Sequence, residues 1–354
     1  MAVEIPGDML EGGGQIVRTS IALAALLGKN IHVRNVRAKR TPPGLKAQHL
    51  TGVKAVAALS KAHCTGLEIG SKEFTFEPHT KLSGRFRFDV GTAGSISLVL
   101  QALMPAAAFA PGRLTMEITG GTDVRWSPTI DYLRFVKLPM LAKMGYEAQL
   151  KVLKRGHYPK GGGHVVVEID PPKRLNRIRL TSQDGIQRVH GLSHCVKLPR
   201  HVADRQARAA NDILRRSGFS EVRIDIESYD IERDYHLGPG SGVVLYAETG
   251  SGSIIGADAI GDKGKPAEKV GSEAAERLLV EIKAGAPVDR HLVDMLIPYT
   301  AVAKGSSEIL TSEITLHTLT NIRVTELIAG VQFRVKGELG NPGSIEVEGI
   351  GLAS

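Results

Sequence analysis

Three stretches of the chain carry residue types that could do chemistry together. The run Glu313-Ile314-Thr315-Leu316-His317-Thr318-Leu319-Thr320-Asn321-Ile322 reads as the end of a strand, then a histidine, then a polar turn that opens a helix. A histidine at such a junction is held by a rigid element yet sits at a rim a ligand can reach. Thr318 or Thr320 is expected to cap the helix by accepting from an orphan N–H. The second stretch is a basic loop with Arg34, Arg37, Lys39, Arg40 and Lys46, followed by Gln48 and His49 and stiffened by Pro42-Pro43. Arginines are the usual bidentate phosphate clamps, so this loop reads as a phosphate site. The third is glycine-rich: Gly12–Gly14 and Gly91–Ser95 each precede a helix. Free N–H groups there suit anions, although a tight strand-to-helix turn also calls for glycine.

Further candidates surround these. Glu11, beside the glycines, could ligate Mg²⁺, which takes one or two carboxylates plus phosphates, or could be a surface residue near a helix start. His291 and Asp294 stand at i and i+3, so both can face one side of a helix, as an ion pair or around a ribose. No Walker sequence is present: Gly256-Ala257-Asp258-Ala259-Ile260-Gly261 is followed by Asp262 where lysine should stand, which disfavours a P-loop ATPase.

The elements that must position these residues repeat. Residues 1–78 read as strand Ala2–Ile5, helix Ile16–Leu27, strand Ile31–Arg37, helix Leu50–Lys61 and two closing strands at Leu67–Ile69 and Glu73–Phe76. Residues 84–170 repeat that order, with helices Ile96–Phe109 and Thr129–Met144. A third copy starts at Ile178–Thr181, is interrupted, and resumes with helix His291–Ala303, strand Glu308–Leu316 and helix Asn321–Ala329. Counted from the glycines that end the first helices, Arg40 lies 12 residues past Gly28, Arg125 13 past Gly112 and His317 12 past Gly305. Three equivalent loops thus carry Arg40, Arg125 and His317, and symmetric packing would gather them. Gln101-x-x-x-Pro105 likewise matches Asp294-x-x-x-Pro298. The expected fold is α/β: three βαβαββ units around a pseudo-threefold, residues 1–184 plus 281–354, with a smaller inserted α/β domain at 185–280. In the insert, Ala203, Ala207, Ala210 and Leu214 share one helix face, opposite Arg205, Arg208, Arg215 and Arg216.

Composition sets the outer limits. With 354 residues, 42% apolar and 23% charged, the chain can bury a sizeable core. It has no apolar run near the roughly 20 residues of a membrane helix and no secretory start. Its two cysteines, Cys64 and Cys195, give no disulfide framework and fit a cytoplasmic protein. The pairs His63-Cys64 and His194-Cys195 lack the spacing of known zinc motifs and read as coincidence. A net charge of +8 favours polyanionic partners. Aromatics at 5% argue against base stacking on an aromatic sheet.

Taken together, Glu11-Gly-Gly-Gly-Gln15-x-x-Arg18, Arg37-x-x-Arg40-x-x-Pro43-Gly44-Leu45-x-x-Gln48-His49, Gly91-x-Ala93-Gly94-Ser95, Gly120-Gly121-Thr122-Asp123, His157-Tyr158-Pro159-x-Gly161-Gly162-Gly163, His291-Leu292-x-Asp294 and His317-x-Leu319-Thr320-Asn321-Ile322 resemble the RNA 3′-terminal phosphate cyclases. The likeness runs from about Glu4 to the C-terminus and is greatest to archaeal members. It implies a fold of three βαβαββ units related to the enolpyruvyl transferases. It also implies ATP-dependent closure of an RNA 3′-phosphate to a 2′,3′-cyclic phosphate, with His317 as the adenylylated nucleophile. By family position, Gln101 and His291, Leu292, Val293, Asp294 and Met295 would bind ATP. Glu11 would help hold Mg²⁺ or Mn²⁺. Arg18, Arg37, Arg40, Gln48, His49 and Arg125 would line the phosphate sites. Two other readings are a non-catalytic RNA-binding relative acting in ribosome assembly, which would lack the nucleophile, and an enolpyruvyl transferase, which would not need a histidine at that junction.

Overall fold

Three four-stranded sheets with one strand order organise the computed structural model, which describes residues 2–353. The first unit contains β1 (Val3–Pro6), α1 (Gly14–Leu27), β2 (Ile31–Arg34), α2 (Ala47–Ser60), β3 (His63–Thr65) and β4 (Phe74–Glu77). The second contains β5 (Gly84–Asp89), α3 (Ile96–Ala107), β6 (Leu114–Gly120), α4 (Ile130–Tyr132), a π-helical turn Leu133–Lys137, α5 (Leu138–Ala142), β7 (Glu147–Lys154) and β8 (Gly163–Asp170). The third opens with β9 (Arg179–Leu180). An insert follows: β10 (Ile186–Val196), α6 (His201–Arg216), β11 (Val222–Glu227), β12 (Gly240–Thr249), β13 (Ile254–Ile260) and α7 (Ala267–Lys283). The third unit then resumes with α8 (Leu292–Val302), β14 (Lys304–Thr311), α9 (Leu316–Ala329), β15 (Phe333–Lys336) and β16 (Gly343–Ile350). In each unit the first strand pairs parallel with the second, and the fourth lies antiparallel between the second and third. A parallel pair needs a crossover connection, and α1, α3 and α8 lie in those crossovers.

These helices are apolar nearly all round because they are buried nearly all round. Ile21 of α1, Leu100 and Leu103 of α3, and Leu296 and Ile297 of α8 are all fully buried in one core that spans the three units. A polar pin adds direction. Asn321 of α9 accepts from Thr19 of α1 at 2.5 Å and donates to the Asp294 carbonyl of α8. The insert builds a separate sheet, β11-β10-β12-β13, over its own core, which includes Val189, Leu245 and Leu278. Ala203, Ala207, Ala210 and Leu214 are its buried helix face, as their spacing predicts. On the other face Arg205 is paired at 2.6 Å with Glu268 of α7, a helix the pattern reading did not anticipate. No helix among the described residues is long and apolar enough to cross a membrane.

Several expected boundaries move. The strand before His317 ends at Thr311, and α9 begins at Leu316, so the histidine lies inside the first helical turn. The cap is Thr315, whose hydroxyl accepts from the Thr318 N–H at 3.0 Å. Of the three counting glycines only Gly28 ends its helix. Gly305 belongs to β14, because pairing claims the chain from Lys304, whose N–H donates to the Leu175 carbonyl at 2.9 Å. The expected helix Thr129–Met144 runs without a break from Ile130 to Ala142, with a π-helical turn at Leu133–Lys137.

Leu103→Ala should lower unfolding free energy by about 2–5 kcal/mol in urea titration, the usual cost of a buried leucine cavity. A loss below about 1 kcal/mol would mean that α3 is not part of the shared core.

Candidate active site

The site begins at the loop between β1 and α1. Glu11 is largely buried, and its backbone N–H donates to the Thr320 hydroxyl of α9 at 3.3 Å. Its Oε1 is ion-paired with Arg40, from the basic loop of the same unit. Oε2 lies 3.3 Å from Nδ1 of His317, from the third unit. One carboxylate therefore joins two residues that are 277 positions apart in the chain. The His317 side chain is half exposed. Partial burial, together with the charges of Arg18, His291 and Arg40, holds the imidazole below its ordinary pKa against the opposing pull of Glu11. At neutral pH the ring is uncharged and carries a lone pair.

The glycines make room for this contact. A Cβ on Gly13 would stand 2.6 Å from Glu11 Oε1, and one on Gly14 would stand 2.2 Å from Nε2 of His49. Both side chains thus lie against the first turn of α1, which has no side-chain cap. Nδ1 of His49 accepts from the Lys46 N–H at 3.2 Å. That sets the tautomer: Nε2 carries the proton and faces the α1 N-terminus. Burial, with Arg18, Arg37 and Lys46 nearby, lowers the His49 pKa to about 3, so this donor is neutral. Arg18 donates to Gln15 at 2.7 Å. Burial lowers its pKa to about 10, opposed by Asp294 and Glu11, and the guanidinium stays charged at pH 7. Uncapped N–H groups, a half-buried cation and a neutral imidazole donor together give this region the chemistry that suits an anion.

Next to it runs a cleft between α1, α3 and α8. Gln101, Pro105, Asp294, Met295 and Pro298 line it, with Gln15, Arg18 and Lys137. The repeat match of Gln101-x-x-x-Pro105 with Asp294-x-x-x-Pro298 therefore corresponds to two segments facing one cleft. Its volume is about 20 Å³, room for about one water. Asp294 is pushed up to about 7 by burial, against the pull of His291, Arg18 and Lys137. Leu292 and Val293 are fully buried in α8, while His291 is exposed just before the helix. His291 forms no ion pair with Asp294 among the described residues, although its charge is felt there.

Other candidates lie differently from expectation. Arg37 is buried, and its Nη1 donates to the carbonyls of Pro42 at 3.0 Å and Gly44 at 2.8 Å. That nitrogen holds the loop shape, where the sequence reading had a phosphate clamp. Gln48 is half-buried in the first turn of α2. Arg125 does not join Arg40 and His317: it is ion-paired with Asp262 of the insert. Its loop is drawn there because the Thr129 N–H donates to Asp258 at 2.8 Å. A cleft of about 430 Å³ opens at that point, lined by Arg125, Trp126, Lys265 and Arg277 among others. Only two of the three counterpart loops converge.

Sequence reading missed Lys137 and Asp289. Lys137 is fully buried on the π-helical turn, and burial pulls it down to about 7 against the raising charge of Asp294. A lone lysine in the apolar run Phe135-Val136-Lys137-Leu138 was the available signal. Asp289 accepts from the N–H groups of His291 and Leu292, both at 2.9 Å, and so caps α8. An aspartate just before an apolar helix is the ordinary cap signal.

Comparison with known proteins decides the family. The family model described as RNA 3′-terminal phosphate cyclase matches residues 9–335. The chain belongs to the RNA 3′-terminal phosphate cyclase family. A relative named RNA 3′-terminal phosphate cyclase from Hyperthermus butylicus is 52% identical over 353 residues, covering 98% of each chain. Relatives of the same name from Ignicoccus hospitalis and Methanopyrus kandleri are each 48% identical, covering 98% of this chain and 99% and 98% of theirs. Among solved structures, the enolpyruvyl transferase NikO from Streptomyces tendae aligns with TM-score 0.42 and 10% identity over 99% of this chain and 49% of its own. That likeness is too slight to carry an argument.

Gly14→Ala should displace the His49 ring. Titrated by NMR, His49 should then move up from about 3 toward the ordinary histidine value of about 6.5. An unchanged titration would show that the ring does not depend on this close approach.

Proposed function

We propose that this cyclase uses ATP to convert an RNA 3′-phosphate into a 2′,3′-cyclic phosphodiester, with AMP held covalently on His317 between the two halves of the reaction. The observation that supports it best is the shared carboxylate: Glu11 faces Nδ1 of His317. A proton on Nδ1 is favoured beside that anion, which leaves the Nε2 lone pair directed outward as the nucleophile. Nε2 attacks the α-phosphorus of ATP, the bond to the β-phosphate oxygen breaks, and pyrophosphate leaves. An oxygen of the RNA 3′-phosphate then takes the AMP from the ring, which restores the imidazole and gives a mixed anhydride. The neighbouring 2′-hydroxyl attacks the 3′-phosphorus, loses its proton and expels AMP.

The chain's residues divide this work by charge. The α1 N-terminus, Arg18, Arg40 and the neutral His49 donor would hold phosphate oxygens. Gln101 and the run from His291 to Met295 would seat the nucleoside of ATP after the narrow cleft widens. Arg37 would keep the basic loop in shape, Gln48 would extend the phosphate seat, and Arg125 would meet the RNA from the insert side. Glu11 is a largely buried carboxylate at this junction, which fits a divalent cation held by one carboxylate plus phosphates. Mg²⁺ or Mn²⁺ bound there would neutralise phosphate charge.

Incubation with α-³²P-ATP and Mg²⁺ should leave an acid-labile, alkali-stable label on the wild-type protein. His317→Ala should lose it, and a label surviving in that variant would reject the assigned nucleophile. Arg40→Ala should cut use of 3′-phosphorylated RNA by roughly tenfold or more while the melting temperature holds, because a truncated clamp leaves packing intact. A variant that melts much earlier yet works normally when folded would assign Arg40 a structural role. The lowered His317 pKa keeps the ring neutral to more acid pH, so label formation should remain on its plateau below pH about 6.5. An inflection at or above about 6.5 would contradict this environment.

A further inference from the structure

A second polar cluster lies where the insert meets the second unit, and the reaction proposed above does not use it. Asp123 follows β6, His157 lies in the loop between β7 and β8, and His194 is on β10 of the insert. All three are buried, and one ligand atom from each lies within 4.8 Å of the others. His194 Nε2 stands 3.7 Å from Asp123 Oδ2. The cluster is built rather than incidental. Asp123 and His157 are joined by an isolated backbone bridge, and Thr122 accepts from the Gly156 N–H at 2.9 Å. From the insert, Gly240 and Gly242 press so close that a Cβ would stand 2.0 Å from His157 Cγ and 2.8 Å from His194 Cε1.

Among the described residues, Asp123 Oδ2 accepts from the Thr122 hydroxyl at 2.6 Å, but other atoms of the cluster have no partner. Asp123 Oδ1, His157 Nε2 and His194 Nε2 are all buried without a hydrogen-bond partner. Leaving such atoms without a partner is costly. Charge is unbalanced as well. The Arg155 guanidinium, fully buried, is the shared partner of Asp123 at 3.3 Å, Asp131 at 2.7 Å and Glu227 at 2.7 Å. Arg134 lies 3.9 Å from Asp131 but is half exposed. One buried cation thus faces three carboxylates, and buried charge is tolerated when paired or bound to metal.

We propose that Asp123, His157 and His194 bind a borderline divalent cation of the zinc class, which clips the inserted domain to the second unit. Two imidazole nitrogens and a carboxylate oxygen are a donor set such ions prefer. Zinc holds these atoms at about 2.0–2.2 Å, so the ligands would sit roughly 3.4 Å apart and need close by only about an ångström. The inference does not rest on the role given to His317.

The test uses the full-length protein, dialysed against a chelator and titrated with Zn²⁺ and with Co²⁺. One equivalent should bind, raise the melting temperature and, as Co²⁺, give visible d–d absorption from nitrogen ligation. His157→Asn and His194→Asn should each weaken binding at least tenfold. Glu11→Gln should keep the full equivalent, which separates this ion from one held with nucleotide phosphates. If a histidine variant fails to fold, the wild-type Co²⁺ spectrum alone decides. No bound metal at micromolar Zn²⁺, or one equivalent retained in the double variant, would overturn the proposal. In that case ordered water would be satisfying these atoms.

Discussion

A carboxylate buried at a junction between units must be compensated, and the site is organised around how Glu11 meets that requirement. Arg40 answers it from the first unit and His317 from the third. The contact orients the histidine ring, while burial and the nearby positive charges keep it neutral. It also sets the composition of the loop beneath. The carboxylate lies over Gly13 and the His49 ring over Gly14, where neither position tolerates a Cβ.

Repetition of one unit supplies the frame, and departure from repetition supplies the site. The three sheets share a strand order, so their crossover helices pack against each other in one core. The anion seat, however, combines the start of α1, the start of α2 and the start of α9, a crossover helix and two second helices. Asn321 links three helices across this meeting point. Three helix N-termini directed at one region favour negative charge there before any side chain is counted.

The units were legible because alternation and helical spacing are local, although the third strand of the first unit lies at His63–Thr65 and not at Leu67–Ile69. The match of Gln101-x-x-x-Pro105 with Asp294-x-x-x-Pro298 was legible too, but that both segments line one cleft was not. Long-range pairing was not legible. No spacing rule connects Glu11 to His317, and only the family resemblance put both at one site. Arg125 shows the limit of the symmetry argument: its loop occupies the equivalent position, but the insert presents Asp262 and draws it away. The start of α9 was misplaced because the apolar alternation of Ile314 and Leu316 continues past the sheet, while the Thr315 cap is a local competitor. Beside Cys195, His194 has no partner at the spacing of a zinc motif. Its neighbours Asp123 and His157 come from separate segments, which no spacing could reveal.

Everything proposed for His317 rests on its electrostatic coupling to Glu11. Its most direct measurement is an NMR titration of the His317 ring in the wild-type protein and in Glu11→Gln. Removing the carboxylate removes the one influence that holds the pKa up, so the account predicts a further drop in the variant. An identical titration in both proteins would show that Glu11 does not govern the ring.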